Sequence, residues 1–128
     1  NRVPYRDMGH DTTVAANFNS ATFIAVNAGD ANWLHEFVVG VEEYQMKAAA
    51  QTRHGGTIRN PVLAFGLDST SSAYINGCME TSVGSLHAQV SLFTGIGYHY
   101  LQAINLNDAT GTTTLYLEYG FCIVEGER

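Results

Sequence analysis

Charge is scarce in this sequence. Only 14% of its 128 residues are Asp, Glu, Lys or Arg, against about 25% in an average globular chain. Twelve acids stand against six bases, and Lys47 is the single lysine. With so few cations there is no electrostatic footprint for nucleic acid or anionic lipid. Long apolar runs are missing too. None approaches the roughly 20 residues that cross a bilayer, so membrane insertion is not expected. There are two prolines and two cysteines. Cys78 and Cys122 allow one disulfide at most, and their spacing is neither that of a metal knuckle nor of a redox pair. Two buried thiols are the simpler reading, with pairing left open. No Asn-x-Ser/Thr glycosylation signal occurs, and residues 1–20 hold no apolar core of a signal peptide. The chain opens at Asn1 without an initiator Met, which suggests a processed chain or a piece of a longer one.

What fills the space is 45% hydrophobic residues, 13 glycines and seven tyrosines, together with Thr, Ala and Asn. Hydrophobic residues run throughout and the net charge of −6 is moderate, so disorder is not expected. The length fits one domain that buries roughly two-thirds of its unfolded surface.

Residues 1–19 are polar and weakly patterned, which predicts an N-terminal arm or tether. From Ser20 onward a period of two dominates. Short strands are predicted over Ala21–Val26 and Trp33–Val41, with the turn-rich run Asn27–Asp30 between them. Glu42–Gln51 has high helix propensity but no good cap and no clear apolar stripe. A long strand is the preferred reading there, with a helix as the alternative. Asn60–Leu67 is a strand with Pro61 at its start, Asp68–Ser72 a loop, and Asn76-Gly77 a type I′ turn signal. Three further strands are predicted at Ser85–Phe93, Tyr98–Leu106 and Leu115–Val124, the last two joined by a hairpin loop at Asn107–Gly111. Regular short strands without intervening helices predict an all-β antiparallel sandwich over residues 20–128.

The last third is similar to the jelly-roll domain shared by the complement globular head and tumour necrosis factor families. The residues that carry the resemblance are Ser85–Phe93, then the Gly-aromatic strand Gly97–Ile104, the small-residue loop at Gly111-Thr112, and the closing strand Leu117–Phe121. Viral and phage head fibres and receptor-binding tips look similar. The resemblance implies a homotrimer with an axis lined by aromatic and aliphatic residues. It also implies binding at loops or subunit clefts and no catalysis; no calcium loop of clustered acids is apparent in this sequence, so metal dependence is not carried over.

Candidate chemistry is thin. The five histidines, His10, His35, His54, His87 and His99, lack the close pairing of zinc ligands. His87 and His99 are the exception, since they could face each other across adjacent strands. In a subunit interface, their protonation near pH 6 is expected to loosen it. No Gly-x-Ser-x-Gly elbow occurs. Glu42-Glu43 on a strand point to opposite faces, and Gly55-Gly56 lacks the residues of a phosphate loop. No catalytic residue, cofactor or metal site is assigned. Tyr98 and Tyr100 share a strand face, whereas Tyr116 and Tyr119 point oppositely, so at least one tyrosine meets something other than the core. Trp33, the only tryptophan, lies at a predicted loop edge, where it is either partly buried or a sugar-binding or interface anchor. Trp33, Tyr98, Tyr100, Tyr116, His87 and His99 are the candidate binding residues.

These features predict a non-enzymatic trimeric knob of a viral or phage appendage, located on the virion. Its partners would be copies of itself, the rest of a larger fibre chain, and a cell-surface glycan or protein receptor. A secreted carbohydrate-binding module and a capsid decoration domain without a receptor are the alternatives. From Thr81 to Leu117 the one formal charge is Asp108, so strand faces not packed in a core are suited to burial against another subunit.

Overall fold

The computed structural model describes residues 4–9, 16–39, 45–55, 60–74, 78–82 and 84–127. They form ten strands: β1 (Pro4–Gly9), β2 (Ala16–Phe18), β3 (Ile24–Ala25), β4 (Leu34–Val39), β5 (Gln45–Gly55), β6 (Val62–Leu67), β7 (Cys78–Ser82), β8 (Ser85–Phe93), β9 (Gly97–Leu106) and β10 (Thr113–Glu127). Two 3₁₀ turns, Val26–Gly29 and Ala31–Trp33, separate β3 from β4. Every strand pairing is antiparallel. Among the described residues no helix is long and apolar enough to cross a membrane.

The strands make the all-β sandwich expected of the sequence, in jelly-roll order. One sheet runs β1 and β2, then β10, β5 and β8; the other runs β6, β9, then β3 and β4. β7 joins them, paired along its length with β8 and by one residue pair, Leu63 opposite Glu80, with β6. The alternation of β8 explains its place. Leu86, Ala88, Val90 and Leu92 are buried, while Gln89, Ser91 and Phe93 are exposed, as a half-buried strand requires. The same parity in β5 buries Met46, Ala48 and Ala50. Glu42–Gln51 is thus strand wherever it is described, from Gln45 onward: its buried alternate residues outweigh local helix propensity.

Two expectations change. Residues 4–9 and 16–18 are not an arm: β1 and β2 line the same edge of β10, with Pro4 opposite Glu127 and Phe18 opposite Thr113. Nor is Asn107–Gly111 a hairpin loop, because β9 and β10 lie in different sheets and pair with different strands. It is a crossover, held by Asn107. The Asn107 carboxamide accepts from the N–H groups of Ser20 and Ala109 and donates to Gly111 O and Thr113 Oγ1. Residues 21–26 form only a two-residue strand, since Val26 already begins a turn. The turn signal at Asn76-Gly77 lies outside the described residues.

Two glycines are required by close approach. A Cβ on Gly66 would sit 2.2 Å from Ser69 O, and one on Gly120 would sit 2.2 Å from Gln51 O. Gly66 lets the 68–74 segment fold back over β6, where Tyr74 N–H donates to Phe65 O at 2.8 Å. Gly120 lies in an irregularity of β10. Tyr116 faces Arg53 and Phe121 faces Gln51, so the strand carries extra residues that bend it around β5.

Candidate functional site

The candidate site is built on the β8–β9 connection. β8 delivers Phe93 on its outer face, the turn carries Ile96, and β9 begins with Gly97 at φ +122°, a conformation suited to glycine. Tyr98 follows on the outer face of the second sheet, opposite Val38 of β4. These four side chains are the most exposed large apolar groups described: Phe93 60%, Ile96 68%, Tyr98 56% and Val38 66%. Val38 and Tyr98 are adjacent across β4 and β9, whereas Phe93 lies on the other sheet with Ile96 in the turn between, so exposed apolar groups gather around this connection from both sheets and make it the candidate interaction surface.

Polar contacts fix the frame beneath them. The Tyr98 hydroxyl donates to Glu36 Oε1 at 2.9 Å, and this hydrogen bond, followed by burial and the Glu36 charge, raises its pKa above the usual 10. The Tyr98 and Tyr100 rings lie 6.5 Å apart, tilted by 45°. His99, between them, points the other way and meets Phe37 at a ring separation of 5.9 Å. Its Nδ1 is 2.7 Å from Asp68 Oδ2 and its Nε2 is 2.7 Å from Gly95 O. Asp68 also accepts from the Tyr100 N–H through Oδ1 at 2.9 Å. The residue that holds the turn is therefore a β9 histidine, anchored by the segment that follows β6.

The six sequence-derived candidates divide into three places. Tyr98, Tyr100 and His99 come together at this end of the sandwich. Tyr116 and His87 lie on the outer face of the other sheet, on either side of β5: Tyr116 opposite Arg53 and His87 opposite Gln51. The Tyr116 ring packs over Gly55, where a Cβ would meet its Cε2 at 2.6 Å. Gln89 Nε2 donates to His87 Nε2 at 2.8 Å. Trp33 is fully buried, at 0% exposure, so it is a core residue and not a surface anchor. The 3₁₀ turn before β4 directs it inward, and its carbonyl accepts from Gln102 Nε2 at 2.9 Å. The proximity expected of His87 and His99 is not found, because β8 and β9 belong to different sheets. Tyr119 has no described side chain. Cys122 is a buried thiol.

The outer face of β10, β5 and β8 carries an open trough of about 390 Å³, lined by Lys47, Ala49, Gln89, Ser91, Ile123 and Glu125 among others. Lys47 and Glu125 are opposite each other in register, and Gln45 Nε2 donates to Ser91 Oγ at 2.7 Å. Small and uncharged groups dominate its floor. Sequence reasoning missed Phe93, Ile96 and Val38, although Phe93 and Ile96 flank the Gly95–Gly97 turn, a signal that was available.

The arrangement can present apolar surface and hydrogen-bonding tyrosines. Among the described residues no group of three or more His, Cys, Asp or Glu side chains is placed to hold a metal ion. Neither a protein-family model nor a curated protein matches the chain.

Proposed function

We propose that the protein is a non-enzymatic knob that assembles as a homotrimer on a viral or phage appendage and attaches it to a host surface. The observation that carries this reading is the exposed apolar set Val38, Phe93, Ile96 and Tyr98, on or beside strands β8 and β9, which contain no Asp, Glu, Lys or Arg. Such a surface is destabilising if left in water and is naturally covered by closed symmetric assembly. The jelly roll is also the fold that the resemblance to the complement head and tumour necrosis factor families implies. In a trimer, three equivalent weak sites act together on a repetitive surface, so each can be weak while the whole binds firmly.

Sedimentation equilibrium of the purified chain tests the reading. The expected mass is that of three 13.9 kDa chains, and Ile96→Ser with Phe93→Ser should shift it to one. A wild-type chain that stays monomeric at micromolar concentration overturns the proposal.

A further inference from the structure

A cleft at the other end of β9 lies away from these apolar residues. It has a volume of about 440 Å³ and opens between the edge strands β2 and β3, within the range of about 300–1,000 Å³ common for small-molecule sites. Its walls combine Phe18, Ile24 and Leu115 with three asparagines, Asn17, Asn27 and Asn105, and three alanines. No charged residue lines it.

Asn105 is the decisive residue. It is 1% exposed, and its Oδ1 has no hydrogen-bond partner. Two residues later Asn107 is also buried, yet both ends of its carboxamide are engaged. A buried acceptor without a donor costs about 1–3 kcal/mol, so its presence at a cleft is notable. The hydroxyls of Thr52 and Thr94 are also without partners, but neither lines this cleft. Asn17 is engaged elsewhere. Its Oδ1 accepts from the Thr114 hydroxyl at 2.9 Å, on the outer face of the sheet, so its side chain is spent outside the cleft and leaves Asn105 as the cleft's polar group. The rim is strained as well. Asn27, Ala28 and Gly29 have φ of +49°, +56° and +84°, and a left-handed alanine costs about 1–2 kcal/mol. Strain and an unmet acceptor at one cleft are the marks of a site shaped for something else.

We infer that this cleft binds a neutral pyranose sugar, with Asn105 taking a hydroxyl and Phe18 and Ile24 meeting its C–H face. Carboxamides both donate and accept, which suits hydroxyls, and a charged sugar would enter with no counter-charge to meet it. The inference deepens the attachment reading and rests on it for its biological role, while the binding chemistry is independent of the oligomeric state.

The test is a ¹⁵N-resolved NMR titration of the full chain with glucose, galactose, mannose and N-acetylglucosamine, with sialic acid as the charged comparison. At least one neutral sugar should shift amide signals of residues 16–18, 24–28 and 105 saturably, with a dissociation constant of about 1–10 mM, as expected of one site in a multivalent binder. Asn105→Leu should weaken that binding at least tenfold while leaving the melting temperature unchanged or higher, because it removes the unmet acceptor. If that variant fails to fold, Ile24→Ser, at an exposed position of the cleft wall, should weaken binding at least threefold. Absence of shifts with all four sugars, shifts centred on Tyr98 instead, stronger binding of sialic acid, or retained affinity in both variants overturns the inference. Sugar binding by a monomer would overturn the trimer and leave the site standing; a trimer without sugar binding would do the reverse.

Discussion

The imidazole of His99 lies 2.7 Å from the carboxylate of Asp68, tying the start of β9 to the turn after β6. Its other nitrogen faces the Gly95 carbonyl, which can only accept. A neutral imidazole carries one N–H, so both bonds are made only by the imidazolium. The hydrogen bond to Asp68 raises the pKa of His99 above 6.5, burial opposes it, and the Gly95 carbonyl adds to the rise. Glu36, opposite Tyr100 on the neighbouring strand, is engaged by the Tyr98 hydroxyl.

Since the folded pKa is raised, the stabilisation is complete below about 6.5 and is lost as pH climbs through the folded value. Within the single chain, protonation of His99 therefore tightens this end of the sandwich. An NMR titration should place the His99 pKa above 6.5 and show Gly95 and Ile96 amides losing exchange protection as it deprotonates. Asp68→Asn should bring the value down; an unchanged pKa would show that Asp68 is not its cause.

Gly120→Ala should destabilise the protein by about 1–3 kcal/mol, the usual cost of forcing atoms into packed space. The added carbon meets the Gln51 carbonyl of β5, which belongs to the ladder and cannot swing aside. Urea denaturation measures it, and a change below about 0.5 kcal/mol would place the variant among ordinary surface substitutions.

Ala28→Gly should act in the opposite direction. Relief of the left-handed alanine is partly offset by the greater freedom of glycine in the unfolded chain, leaving a gain of about 0.5–1 kcal/mol. Thermal melting would register it as a higher midpoint, and a lower midpoint would contradict the strain.

Trp33→Ala should cost about 3–5 kcal/mol, as for other fully buried aromatics. In the wild type, the sole tryptophan should fluoresce as an apolar-shielded indole and shift to the red on unfolding. Emission already at the solvent-exposed wavelength in the native protein would contradict its burial.

Much of the fold was legible because its signal is local. Ser85–Phe93 coincides with β8, and Val62–Leu67 falls inside the strand read from Asn60 to Leu67. Alternation fixes which residues face inward without saying which strand is the neighbour. That is why β8, β9 and β10 were readable as strands while the switch of sheet at Asn107 was not. Burial or exposure of Trp33 is left open by the sequence for a related reason. Asn32 and the turn signals around it describe the backbone, whereas the direction of the indole depends on β4 and β9 closing over it. The polar first residues hid β1 and β2, whose place comes from pairing with β10 and not from their own pattern. Tyr98 and Tyr100 were found by parity, but the amide of Asn105 became conspicuous only beside the satisfied amide of Asn107.

The pairing of β1 with β10 has a mechanical consequence. Pro4 stands opposite Glu127 and Gly9 opposite Cys122, so the outer ends of these two strands emerge side by side. Tension applied between them would open the ladder one hydrogen bond at a time, as a zipper opens, instead of loading all the bonds together in shear. β1 would therefore peel away at low force, before the β5–β8 ladder felt any strain. A load carried by β10 would leave the β1–β10 ladder slack, whereas a load carried by β1 would have to pass through it.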